Sequence, residues 1–103
     1  MRKHPREIDT LDALRAQIDD IDNALLTLLG ERMAHVDRVT IVKQSTGVSA
    51  AAPGRFEAVI EKVRSRADTT GMDPDIAEAM WRVMIKGFIA HEEKTLGKGG
   101  KDA

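Results

Sequence analysis

The chain has 103 residues, no cysteine, and a net charge of −1 from 16 basic and 17 acidic side chains. That length suits one domain with a modest core, and 42% hydrophobic residues are enough to fold it. The charge balance argues against a nucleic-acid or membrane-surface binder, and the absence of thiols excludes disulfides and thiolate metal sites. No run of about 18 apolar residues is present to span a bilayer. The charged opening MRKHPREIDT carries no apolar signal-peptide core, so a cytoplasmic protein is expected.

The pattern predicts three helices and no strand. Helix 1 is expected from Asp9 or Thr10 to about Gln44. Its apolar residues Leu11, Leu14, Ile18, Ile21, Leu25 and Leu28 alternate steps of three and four, close to a 3.5-residue period. At 1.5 Å per residue this helix is ~50 Å long, beyond the ~26 Å width of so small a domain. A stripe that long needs a partner, and a second copy of the chain is the simplest one. Gly47 and the run Ser49 to Gly54 form a loop, and Pro53 opens helix 2, whose stripe is Phe56, Val59, Ile60, Val63 and Ala67. Gly71 ends it. Asp73 caps helix 3, Pro74 fills its first turn, and the helix runs to about Leu96. Helix 3 has two apolar stripes, Ile76–Met80–Val83–Gly87–Ala90 and Trp81–Ile85–Phe88, and is expected to be buried on several sides. The first residues and the tail GKGGKDA are expected to fray, leaving about 8–96 ordered.

The next position in the helix-1 stripe, 32, is an arginine, and the apolar pattern resumes at Val39 and Val42. Lys43 lies 11 residues after Arg32, hence on nearly the same face and ~16 Å further along the axis. Two cations facing an apolar interior repel each other and lose hydration, so they call for an anion between them. A ligand with two carboxylates fits, because no carboxylate of helix 1 is placed to neutralise both. Arg15 lies ~25 Å from Arg32 and about a quarter-turn around the helix, so it reaches the same pocket only from a second copy. Glu92 continues the stripe Trp81–Ile85–Phe88 and is expected to point inward. The plainer alternatives are a surface Arg15 paired with Asp19, an Arg32 ion pair that fixes oligomer register, and a Glu92 paired with a lysine. His4, His35 and His91 lack metal-ligand spacing, and no metal site is expected.

Four segments carry a resemblance to a known family: LDALRAQIDDIDNALLTLLGERM, Val42-Lys43, Pro53-Gly54-Arg55, and GMDPD followed by helix 3. Over about residues 8–96 the sequence resembles the all-helical chorismate mutases. These intertwined homodimers also include isochorismate-pyruvate lyases and 4-amino-4-deoxychorismate mutases. The resemblance implies an all-α, three-helix homodimer, a single domain across 1–103, and a small dicarboxylate substrate of the chorismate type. It implies a [3,3] rearrangement of chorismate to prephenate that uses no metal or cofactor. Arg32 and Arg15 of a second copy would grip the carboxylates through their planar forks. Lys43 and Glu92 would face the ether oxygen of the breaking bond, Arg55 would close the pocket, and Val39, Phe56, Ile85 and Phe88 would line it.

Three positions depart from the usual bacterial pattern. Phe56 stands where a glutamate commonly binds the ring hydroxyl, Phe88 replaces a small hydroxyl residue, and Glu92 replaces a glutamine. These changes leave two related substrates open, 4-amino-4-deoxychorismate and isochorismate. They also leave open a non-catalytic helical dimer that binds a ligand. To donate a hydrogen bond to the ether oxygen Glu92 must be protonated, so turnover is expected to fall as pH rises.

Overall fold

The computed structural model describes residues 2–102. A short 3-10 turn at Pro5–Glu7 precedes three α-helices: α1, Leu11–Thr46; α2, Pro53–Thr70; and α3, Pro74–Leu96. The described residues hold no strand, and an isolated bridge joins Val48 to Lys101. The all-α, three-helix class expected from periodicity and capping is therefore the one observed.

Most helix ends have a local reason. Thr10 Oγ1 accepts the amide of Ala13 at 3.2 Å, satisfying one of the free N–H groups that open α1. The helix runs two residues past Gln44. Ser45 and Thr46 turn their hydroxyls back onto the carbonyls of Val42 and Lys43, and Gly47, at φ 73°, ends the run. Pro53 opens α2, and Gly71, at φ 79°, closes it with its amide on the Ala67 carbonyl. Asp73 Oδ1 then accepts the amides of Asp75 and Ile76 at 2.8 and 3.1 Å, starting α3 directly after that turn.

The chain groups into two units, Met1–Ala34 and His35–Ala103, and the division falls within α1. In the first, Gln17 clasps Lys3, accepting its amide at 3.0 Å and donating to its carbonyl at 2.7 Å. The α1 stripe in this unit is exposed: Leu11, Ile18, Ile21, Leu25 and Leu28 all face solvent, Leu28 with 59% of its surface.

In the second unit α2 packs on α3. Ile60 and Ala67 of α2 and Ala77 of α3 are buried, with Phe56, Val59, Val63, Trp81 and Ile85 half-buried around them. The small side chains let the helix backbones approach closely. One stripe of α3 thus has its cover. The other, Ile76, Met80 and Val83, is exposed in the single chain, where the expected burial on several sides belongs to an intertwined oligomer. A lattice of charges crosses the α2–α3 seam. Arg64 donates to Asp75 and Glu78 at 3.0 and 2.8 Å, and Arg82 donates to Glu78 at 2.7 Å and to both oxygens of Glu57 at 3.2 Å. The Arg82 guanidinium also lies 5.6 Å over the Phe56 ring, a cation–π distance.

The end of the chain differs from the expected fraying. Lys101 donates its amide to the Gly47 carbonyl at 2.8 Å and accepts the Ser49 amide at 2.7 Å. The Asp102 carboxylate accepts the Gly54 amide at 3.0 Å, supplying the anionic cap that Ala52 lacks at the start of α2. Composition suggested disorder because glycines and lysines have little to bury. Backbone pairing and one carboxylate at a helix N-terminus hold the segment instead.

Hydrogen bonds from Arg82 and then Arg64 hold the Glu78 carboxyl below the usual glutamate range. A carboxylate stabilised in the folded state contributes stability above its unfolded pKa and loses it as pH falls through the folded one. Thermal melts should therefore show a Tm that declines on acidification below the usual glutamate range, with a shallower decline in Glu78→Gln. The difference should be modest and shrink with added salt, because the lattice is solvent-exposed.

Candidate active site

Near the ends of α1 and α3 an ion pair joins half-buried Lys43 to buried Glu92. Lys43 Nζ lies 3.4 Å from Glu92 Oε2, with side-chain exposures of 14% and 6%. The same ammonium donates to the Ala50 carbonyl at 3.4 Å. The other carboxylate oxygen, Oε1, meets the Thr40 hydroxyl at 3.2 Å, one helical turn before Lys43. Both oxygens of Glu92 thus have protein partners, as a charge removed from water requires. Among the described residues, no buried side-chain nitrogen or oxygen lacks a hydrogen-bond partner.

The loop between α1 and α2 is shaped to deliver that Ala50 carbonyl. Ser49 Oγ accepts the Ala52 amide at 2.9 Å, and Ala52 takes a left-handed conformation, φ 35° and ψ 66°, that alanine disfavours by about 1–2 kcal/mol. Ala50 and Ala52 are both buried. Lys101 and Asp102 brace the loop from either side of this turn. The loop that presents Ala50 to Lys43 also leads into Arg55, an exposed residue in the first turn of α2.

Of the residues singled out in the sequence, Lys43 and Glu92 are brought into contact. The carboxylate that pairs with Lys43 comes from α3, which a search of helix 1 alone misses. Arg15, exposed, and Arg32, half-buried, belong to the first unit. Val39 is exposed on α1, and Ile85 and Phe88 are half-buried on α3. Phe56 supports the guanidinium of Arg82 in the α2–α3 lattice. Thr40, which completes the contacts of Glu92, was not singled out in the sequence. Its signal is faint: a lone hydroxyl among Val36, Val39, Ile41 and Val42, three positions before the lysine.

Beside this pair a cleft of about 360 Å³ is lined by Asp37, Thr40, Ile41, Gln44, His91, Lys94 and Thr95. His91 Nε2 and Asp37 Oδ1 meet there at 2.7 Å, giving the histidine a carboxylate partner. Thr40, buried, forms the wall between this cleft and Glu92. Among the described residues no group of three or more His, Cys, Asp or Glu is arranged to hold a metal ion. Nor, among the described residues, is any helix long and apolar enough to cross a membrane.

A model of the family chorismate mutase type II matches residues 14–93, a span that includes the whole Thr40–Lys43–Glu92 cluster. The chain belongs to this family. Among its relatives is a T-protein of Enterobacter agglomerans, 36% identical over 85 residues, which are 82% of this chain and 23% of the relative. A T-protein of Haemophilus influenzae is 30% identical over 87 residues, 84% of this chain and 23% of the relative. A chorismate mutase of Methanocaldococcus jannaschii is 27% identical over 89 residues, 86% of this chain and 90% of the relative. The chain thus spans under a quarter of each T-protein and nearly the full length of the archaeal chorismate mutase.

Within this member of the family, removing one partner of the buried pair leaves the other charged and enclosed. Lys43→Met is expected to cost on the order of 3 kcal/mol in chemical denaturation, and adding Glu92→Gln should recover part of that loss. Equal and additive losses would mean that the two charges do not interact.

Proposed function

We propose that this chain is a chorismate mutase, an isomerase that converts chorismate to prephenate by a [3,3] rearrangement. The reading is carried by the buried Lys43–Glu92 pair within the span matched by the family. Such a rearrangement needs no nucleophile. The protein must hold the folded, reactive conformer and stabilise the negative charge that develops on the breaking ether oxygen. Lys43 donates to that oxygen, and Glu92 faces the same atom. Arg32 of one copy and Arg15 of another bind the two substrate carboxylates, Arg55 closes the site, and Val39, Phe56, Ile85 and Phe88 line it. No metal or cofactor has a part.

The site is completed in a homodimer. The exposed stripes Leu11–Ile18–Ile21–Leu25–Leu28 and, separately, Ile76–Met80–Val83 support this reading, since an exposed apolar helix stripe marks an interaction face. The protomer is one domain, and the protein acts in the cytoplasm on a small dicarboxylate.

A second reading within the same fold takes 4-amino-4-deoxychorismate as the substrate. It is favoured by Phe56, whose ring lies under Arg82 at the position where a glutamate commonly binds the ring hydroxyl.

The purified protein should convert chorismate to prephenate, identified by mass spectrometry, when chorismate, isochorismate and 4-amino-4-deoxychorismate are offered separately. Salicylate with pyruvate, or the amino analogue of prephenate, would assign it to a sister activity. No turnover of any of the three would leave a binding module. Arg32→Ala should lower turnover by about two orders of magnitude while sedimentation still shows a dimer.

A further inference from the structure

Oε1 of Glu92 is held by Thr40, a residue that plays no part in the mechanism above. Its hydroxyl has one hydrogen and two acceptors within reach, the Val36 carbonyl at 3.0 Å and Glu92 Oε1 at 3.2 Å. The Val36 carbonyl already receives the Thr40 amide in the i to i−4 ladder of α1. Turning the hydroxyl hydrogen toward Glu92 therefore orphans nothing. Turning it away would leave a buried carboxylate oxygen without a donor, which is the costlier arrangement. The position of Oγ1 is itself constrained. Threonine is β-branched, which restricts χ1, and here Oγ1 sits 3.0 Å from the Val36 carbonyl one turn back. It is thus a fixed point on a rigid element.

We propose that Thr40 is a positioning residue, whose hydroxyl anchors Oε1 of Glu92 so that Oε2 is presented beside Lys43 toward the reacting bond. The inference rests on the mutase reading of the site. The contacts around the carboxyl differ in kind. Lys43 reaches both Oε2 and the Ala50 carbonyl at 3.4 Å from the end of a flexible side chain. Thr40 is buried and short. The rigid partner fixes the orientation of the carboxyl, and the flexible one is free to follow the substrate. With Thr40 donating to Oε1, Oε2 is the oxygen left to Lys43 and to the substrate. A methyl group in place of the hydroxyl cannot donate.

Thr40→Val keeps the shape and removes the hydroxyl. It should lower kcat about tenfold or more with KM within about twofold, the signature of an interaction made in the transition state rather than in substrate binding. Thr40→Ser should recover most of the loss. In a Glu92→Ala background Thr40→Val should have no further effect, because a residue that acts through Glu92 has nothing left to position. The carboxyl-carbon NMR resonance of Glu92 should move in Thr40→Val and return in Thr40→Ser. An active parent protein in which Thr40→Val is silent, or adds fully to Glu92→Ala, would overturn the role of Thr40 alone. A parent protein inactive on all three substrates would overturn the mutase reading, and the positioning role with it.

Discussion

The second unit is organised around the enclosure of one carboxylate. Glu92 is drawn from water by the packing of α3, and an enclosed carboxylate is tolerated only with donors around it. Lys43 and Thr40 supply them from one turn of α1. That requirement links the end regions of α1 and α3, two helices otherwise joined through α2. It also fixes the loop between α1 and α2, because Lys43 needs a second acceptor and finds it in the Ala50 carbonyl. A single buried charge thus sets the register of three chain segments.

Several parts support this arrangement. The left-handed backbone of Ala52 turns the loop, Ser49 secures it, and Lys101 and Asp102 pin it from outside. The α2–α3 seam is a different kind of contact. Its core is small-residue packing around Ile60, Ala67 and Ala77, and its margin is a lattice of exposed charges with Arg82 at the centre. Phe56 belongs to that margin, where its ring carries the guanidinium. A residue that periodicity assigns to the helix-2 stripe, and family likeness to a substrate pocket, is therefore also part of the helix seam.

The three helices and most of their boundaries were legible because each is punctuated by a residue with a local mechanism. Thr10, Pro53, Gly71, Asp73 and Pro74 act within a few positions of themselves, so no distant contact is needed to read them. The exposed stripe on α1 was likewise visible as an excess of apolar positions that one small chain cannot cover. In the candidate site, Lys43 and Glu92 were legible as charges interrupting apolar patterns, one on each of two helices. The ordered tail was not legible, because the partners of Lys101 and Asp102 lie about fifty residues away in sequence.

What the sequence by itself determined is the helical class, the helix ends, and the presence of charged residues on faces meant to be apolar. These follow from short-range periodicity and capping, which act along a single element. Only the tertiary structure decided that the carboxylate beside Lys43 comes from α3, that Thr40 holds its other oxygen, and that Asp102 caps α2. These pairings join residues roughly fifty positions apart. They depend on how helices pack and how buried polar groups find donors, and spacing along one helix carries no information about either.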